Sequence, residues 1–347
     1  MRLPTVTDEV QRRVLITAVP FGEHNQASLG RLRDAGLEYV LNPLGRHLSE
    51  IELGGFIPPF GALVAGTEPI TPAVMDKATH LKLIARVGIG LDNIDLLEAR
   101  RRGIGVTYTP DAPAPAVAEL TLGMGLALLR RIHLADRSLR AGTWSRLMGR
   151  PLTGSTVGVI GVGRVGSRLI RLLRGFSDVR LLANDIEPDR AFGKTHSVSW
   201  VDRETLFRES DIVSVHVPLT PETYRLVGRA ELTAMKPTAM LINTARGGIV
   251  DETALAWAIR EGQIAGAAVD VYESEPYTGE LTSLENCLLT CHMGSMSEDC
   301  RLQMEQEAVD DVIRFFSGKT LARPVPSDEY EVAAIASPSH ELSRGRS

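Results

Sequence analysis

Short apolar runs alternate with stretches of helical spacing along nearly the whole 347-residue chain. In the first third, the runs at 13–17, 37–41, 62–65, 83–87 and 105–108 read as strands, and 26–35, 71–78 and 95–102 as helices. Such alternation joins parallel strands through crossover helices. Pro110, Pro113 and Pro115 then interrupt it. Proline disfavours helix in the residue before it, so 109–115 reads as an extended connection. A long apolar helix is predicted over 117–141. Six further runs follow, at 157–160, 180–183, 212–217, 239–242, 266–270 and 287–290, separated by helical patterns that include 203–209, 229–234 and 253–261. A last helix, 299–316, has no strand to feed and is expected to return to the first domain. The polar tail after Pro326 reads as mostly disordered.

One run leads into a recognisable turn. Thr156 to Ile160 is rich in β-branched residues, and Gly161-Val162-Gly163-Arg164-Val165-Gly166 follows at once, ahead of a helical pattern. A strand, a Gly-x-Gly-x-x-Gly turn and a helix N-terminus form the cradle of a dinucleotide pyrophosphate. Gly161 permits the turn, Gly163 admits the phosphates and Gly166 lets the helix approach the strand. Asp185 stands at the end of the next apolar run. An acid there accepts hydrogen bonds from the adenosine ribose, which favours NAD over NADP.

The expected architecture is therefore α/β, with two doubly wound parallel-sheet domains. Residues 1–116 and 303–330 form a flavodoxin-like substrate domain, residues 117–302 an inserted Rossmann domain that binds NAD, and residues 331–347 a disordered tail. Six strands suit the nucleotide sheet.

Composition narrows the picture further. The chain is 44% apolar and 23% charged with mean hydropathy near zero, as in globular proteins, and its length favours two cores. No uninterrupted apolar run reaches membrane-spanning length, and residues 1–10 lack the basic-then-apolar order of a signal peptide. A net charge of −5 argues against a general nucleic-acid binder. Cys287, Cys291 and Cys300 are odd in number and contain no C-x-x-C pair. Unpaired thiols in a reducing cytoplasm are expected, and no metal site.

In such sheets ligands meet the carboxyl ends of the strands. Four apolar runs here end in candidate chemistry: Val217-Pro218-Leu219-Thr220, Asn243-Thr244-Ala245-Arg246-Gly247-Gly248, Asp270 through Pro276, and Cys291-His292-Met293-Gly294. Arg246 offers a permanently charged fork for a carboxylate and its neighbouring carbonyl. His292 can pass a proton near neutral pH, and Glu275, if hydrogen-bonded to the ring, would stabilise imidazolium. With a nicotinamide to carry hydride, this set suffices for a dehydrogenase of a small anionic substrate.

At these residues the chain resembles the D-isomer-specific 2-hydroxyacid dehydrogenase family, which includes D-3-phosphoglycerate dehydrogenases and glyoxylate or hydroxypyruvate reductases. The likeness runs from about Leu81 to about Val312 and is carried by Arg86-Val87-Gly88-Ile89-Gly90-Leu91-Asp92-Asn93-Ile94-Asp95, Val117-Ala118-Glu119, the glycine fingerprint, Val217-Pro218-Leu219-Thr220, Ala245-Arg246-Gly247-Gly248 and Asp270 through Pro276. It implies that Arg246 binds substrate, Glu275 supports the histidine and His292 donates the proton. Arg164, Val165, Asp185, Val217, Thr244, Ala245, Asp270 and Gly294 match cofactor-contacting positions. The backbone N–H groups of Val87 and Gly88 match a loop that grips the substrate carboxylate, and Arg86 matches an arginine that meets phosphate in phosphoglycerate enzymes. A cytoplasmic homodimer, with a cleft closing between domains, follows from the same resemblance.

Departures bear on the substrate. Cys291 replaces a usual proline, residues 111–115 replace an Asn-containing loop, and Ser155 replaces a lysine. Ile89 stands where phosphite-oxidising relatives carry lysine, which argues against phosphite. Only fifty-five residues follow His292, too few for the returning helix and an appended amino-acid-sensing domain. The expected reaction interconverts a small D-2-hydroxy acid, phosphorylated or not, and its 2-keto acid. A phosphonate analogue would satisfy the same arginine. NAD(H)-sensing corepressors of this fold can keep the same three residues, and the lack of a long interaction tail favours the enzyme. L-Hydroxyacid enzymes carry their fingerprint near the N-terminus, unlike this chain.

Overall fold

The computed structural model describes residues 12–336. It divides into two units, Met1–Pro113 with Ser297–Ser347, and Ala114–Met296. Both divisions fall ahead of the expected boundaries at 116 and 302. The first unit runs β1 (Arg13–Ile16), α1 (Ala27–Asp34), β2 (Glu38–Leu41), α2 (Glu50–Phe56), β3 (Ala62–Ala65), α3 (Pro72–Lys77), β4 (Leu83–Arg86), α4 (Leu96–Arg101) and β5 (Gly105–Thr107). The second runs α5 (Pro113–Leu129), α6 (Ile132–Arg140), β6 (Thr156–Ile160), α7 (Arg164–Leu173), β7 (Arg180–Asn184), α8 (Arg190–His196), β8 (Val198–Trp200), α9 (Arg203–Glu209) and β9 (Ile212–Val215). It continues with α10 (Arg229–Ala234), β10 (Met240–Asn243), α11 (Glu252–Arg260), β11 (Gly266–Val269) and β12 (Cys287–Leu289). Finally α12 (Glu298–Phe316) and α13 (Ser327–Ala336) belong to the first unit.

Both sheets are parallel throughout. The first has the order β2-β1-β3-β4-β5, the flavodoxin-like arrangement. The second has the order β12-β11-β10-β9-β6-β7-β8, which reverses direction around β6. That reversal opens a crevice at the carboxyl ends of β6 and β9, where open α/β sheets hold ligands.

Burial explains why the strands read as unbroken apolar runs. Leu241 and Val213 face one core with Leu206, Phe207 and Leu255, while Met240, Ile242 and Ile212 face another with Leu128, Leu169 and Ile170. With helices on both faces, neither side of a strand can be polar. In the first unit α12 packs on α1, β3 and β4 through Met304, Ala308, Val312 and Phe315, spaced by three or four residues. No helix among the described residues is long and apolar enough to cross a membrane.

Four expectations need correction. The proline segment is not wholly extended, because α5 begins at Pro113 and takes Pro115 into its first turn. Proline costs little there, since first-turn N–H groups have no helical acceptor. The helix expected over 117–141 is two helices, broken where Arg131 takes φ +53°. The nucleotide sheet has seven strands, because the short edge strand β8 pairs with β7. The segment after Pro326 is partly ordered: α13 places Tyr330 in the first unit's core, with the Arg100 guanidinium 3.6 Å from its ring centroid. The rest of the expected tail, 337–347, lies outside the described residues.

Candidate active site

Only Gly161, Val162 and Gly163 separate β6 from α7. Gly161 sits at φ +86°, and a Cβ there would come within 2.6 Å of the His216 carbonyl oxygen. A Cβ on Gly166 would run into the Gly161 carbonyl, so the helix can approach β6 only with glycine there. Gly163 faces open space and offers no side chain to the N-terminus of α7. The first N–H groups of this ten-residue helix therefore point outward together, an arrangement that fits a pyrophosphate.

Asp185 is tied to this turn. Its Oδ2 accepts the Val162 N–H at 2.7 Å and its Oδ1 the Glu187 N–H at 3.0 Å. A carboxylate has about four acceptor positions, so capacity for ribose hydroxyls remains. Val217 follows β9, and Thr244 with Ala245 follows β10. Thr244 lies 2.8 Å from Thr121 Oγ1, which donates its own proton to the Val117 carbonyl at 2.7 Å. One proton per hydroxyl makes Thr244 the donor of the pair.

Arg246, Glu275 and His292 come together at the neighbouring strand ends. The His292 Nδ1 is 2.8 Å from Glu275 Oε2 and 3.1 Å from Oε1. Partial burial pushes the Glu275 carboxyl up, but hydrogen bonding and charge from His292, the Tyr272 N–H and the Arg246 guanidinium bring it below its ordinary value. Glu275 is thus a carboxylate over the whole neutral range. Arg246 donates from Nη1 to the Ala245 carbonyl at 2.7 Å, and Asn243 Nδ2 holds the Arg246 carbonyl at 2.9 Å. Gly247 lies so close to the Tyr272–Glu273 peptide that no side chain fits between them.

His292 has φ +51°, a left-handed conformation that costs a non-glycine residue on the order of 1–3 kcal/mol. Asp270 over-determines it. The Asp270 carbonyl accepts the His292 N–H at 2.7 Å. Its buried carboxylate accepts from Thr290 Oγ1 at 2.6 Å, the Met293 N–H at 2.8 Å and the Gly294 N–H at 2.9 Å. Asp270 therefore fastens the histidine turn, a role that sequence pattern did not reveal. Tyr272 was also missed: its hydroxyl reaches the Val269 and Thr290 carbonyls, and its N–H donates to Glu275 Oε1 at 3.0 Å. The position of Tyr272 within the Asp270–Pro276 motif was its only signal.

The first unit corrects the assignment of Val87 and Gly88. The Val87 N–H donates to the Ala65 carbonyl at 2.9 Å, and the Gly88 N–H to Thr109 Oγ1 at 2.8 Å. Neither is free to grip a carboxylate, because chain segments about twenty residues away in each case have already claimed them. Ile89 and Gly90, next in the loop, make no backbone hydrogen bond as donors among the described residues. Arg86 is only 7% exposed; its Nη1 donates to the Val87 carbonyl and its guanidinium underlies Gly88. It braces this loop from beneath. Among the described residues no group of three or more His, Cys, Asp or Glu is placed to hold a metal, and Cys287, Cys291 and Cys300 are free thiols.

A reversed parallel sheet, a glycine cradle with its acid, and a paired imidazole beside a guanidinium define a dinucleotide-dependent oxidoreductase. Residues 122–294 match the model of the D-isomer specific 2-hydroxyacid dehydrogenase NAD-binding domain. The chain is 43% identical over 262 residues to a glyoxylate reductase of Thermofilum pendens, covering 73% of this chain and 77% of that one. It is 38% identical over 282 residues to a hydroxypyruvate reductase of Thermotoga maritima, covering 79% and 90%. Its fold superimposes with a TM-score of 0.79 and 27% identity on a D-lactate dehydrogenase from Aquifex aeolicus complexed with NAD and lactic acid, over 90% of this chain and all of that one. The protein belongs to the D-isomer-specific 2-hydroxyacid dehydrogenase family and is an NAD-dependent enzyme of that family.

Proposed function

We propose that the enzyme reduces a small, unphosphorylated 2-keto acid of the glyoxylate or hydroxypyruvate kind to the D-2-hydroxy acid, and runs the reverse reaction when products accumulate. One observation carries the reading: a carboxylate-paired histidine and an arginine share one edge of the NAD-binding sheet. Gly161, Gly163, Arg164, Val165, Gly166 and Asp185 would hold NAD, together with Val217, Thr244, Ala245, Asp270 and Gly294 at the neighbouring strand ends. Bound there, NADH supplies the hydride that goes to the keto carbon. Arg246 binds the substrate carboxylate and polarises the carbonyl. His292, with Nδ1 on Glu275, gives its Nε2 proton to the carbonyl oxygen, so carbon gains hydride and oxygen gains the proton. Glu275, hydrogen-bonded to Nδ1, keeps the ring oriented with Nε2 left for the substrate.

The unphosphorylated choice follows from Arg86. Its charge is buried beneath the Val87–Gly88 loop and offers no exposed fork to a phosphate. Loss of NADH absorbance with glyoxylate, hydroxypyruvate and 3-phosphohydroxypyruvate tests both choices. Turnover is expected with the first two, well above the third. A preference for the phosphorylated acid would overturn the substrate assignment; tight NADH binding with no turnover would point to a sensor. We also propose a cytoplasmic homodimer. Free thiols suit that compartment. None of the side chains of α6 is buried, and Ile132, Leu139, Trp144 and Met148 stand exposed along it and just beyond, as suits a face covered by a second copy. Sedimentation of the wild type against Leu139→Glu checks this: a monomeric wild type removes the proposal.

A further inference from the structure

The loop that carries Glu275 is fastened at two consecutive residues, Tyr272 and Glu273. Tyr272 bonds to the carbonyls of Val269 and Thr290, and so to the histidine turn. At the next residue Glu252 Oε1 accepts the Glu273 N–H at 2.7 Å, the one backbone tie between this loop and α11 among the described residues, beside the Tyr224 hydroxyl that donates to the Glu273 side chain. Glu252 is the first residue of α11, and the six positions before it lead back to Arg246. That short connection is rigid. Ile249 and Val250 are buried, Val250 bridges to Val227, and the Asp251 N–H donates to the Val227 carbonyl at 3.0 Å. Asp251 also caps α11, accepting the Ala254 N–H at 3.0 Å. Glu252 thus projects from the fixed end of the arginine segment into the glutamate loop.

Glu252 is a costly way to make this bond. Burial lifts its carboxyl above the ordinary range; the Glu273 N–H works against that lift, while the negative charges of Glu273, Asp251 and Glu275 add to it. Glu273 is itself directed away, accepting from the Tyr224 hydroxyl at 2.9 Å. What Glu252 supplies in return is the acceptor oxygen for the Glu273 N–H.

We propose that Glu252 is a positioning residue for the proton-transfer pair, joining the arginine segment to the Glu275 loop so that guanidinium, carboxylate and imidazole keep one spacing. It touches neither substrate nor cofactor and acts through Glu273 on Glu275 and His292. Its amide counterpart, glutamine, retains an oxygen at the same reach. Aspartate retains the charge but falls one methylene short.

The test compares Glu252→Gln, Glu252→Asp and Glu252→Ala with wild type by steady-state kinetics, NADH titration and amide hydrogen exchange over residues 271–277. A misplacement of about 1 Å in a catalytic group can cost about a hundredfold, so kcat should fall about tenfold or more in the Asp and Ala variants. NADH affinity should hold, and Glu252→Gln should restore kcat and slow exchange together. The kinetic arm rests on the dehydrogenase reading above; the exchange arm does not. If the wild type turns over no keto acid, that reading fails and exchange alone decides the tie. Equal kcat in all four proteins, or unchanged exchange in Glu252→Asp, overturns the proposal. So does a Gln variant as impaired as Ala, which would make the charge, and not the acceptor oxygen, the active feature. Should Ala not fold, Asp against Gln settles the same question.

Discussion

The first strand of each unit turns at its carboxyl end toward a helix, yet only one of these turns suits a dinucleotide. After β6 the helix starts within three residues, and its N-terminus faces outward past Gly163. After β1 the chain takes ten residues to reach α1, through Thr17, Pro20 and Gly22. There the backbone donors are taken up internally. The Gly22 N–H meets Glu305 Oε2 at 3.1 Å, and Arg301, beside Glu305, donates to the Pro20 carbonyl. The same sheet geometry therefore carries opposite electrostatics at the two turns: outward N–H dipoles in one, a carboxylate from α12 filling the place of an anion in the other. The two turns differ in length and glycine placement, although both follow a strand of a parallel sheet.

That contrast can be broken most sharply at the histidine. His292→Ala should cut kcat by about a hundredfold to ten-thousandfold, the range for losing a general acid, while the Kd for NADH holds within about twofold. An active variant would remove His292 from its role, and a lost cofactor would merge the cradle with the chemistry. Arg246→Lys ranks next. Loss of a charged, forked hydrogen bond is worth about 1.5–3 kcal/mol, so kcat/KM should drop about tenfold to a hundredfold. Asp185→Ala should weaken NAD about tenfold and NADP far less, read by fluorescence titration of both cofactors. An equal loss for both would sink the ribose assignment.

Smaller effects sharpen the other side. Glu305→Gln in the first turn should leave NADH affinity unchanged, since there the Gly22 N–H is already taken by Glu305; a weakened Kd would contradict the distinction. Glu275 gives a pH signature. Its carboxyl is held below its ordinary value in the folded protein, so its stabilising contribution is present above the unfolded-state value and is lost as pH falls through the lowered one. Thermal midpoints of wild type and Glu275→Gln should therefore converge as the solution is acidified from neutrality. A gap that stays constant would show that the pair contributes nothing.

Most strands were legible because burial on both faces leaves an unbroken apolar run, as in β6 and β10. The edge strand β8 was not, since Val-Ser-Trp is short and half exposed. α13 was hidden because its short apolar stretch shows no one-sided spacing that would announce how Tyr330 docks. That Arg246, Glu275 and His292 meet was readable from their place at strand ends. The occupation of the Val87 and Gly88 donors was unreadable, because Ala65 and Thr109 reach them only through the fold. Glu252 and the clamp made by Asp270 were invisible for the same reason: their partners lie some twenty residues away.

The first unit takes its last two helices from beyond residue 297, and Glu305 on α12 is what satisfies Gly22. During synthesis the ribosome delivers β1 to β5 long before the helix that seals them. The nucleotide-binding unit, contiguous from Ala114 to Met296, is complete first. A nascent chain thus passes through a stage with one finished module and one open apolar sheet, and that stage is where chaperone dependence and slow translation should be felt.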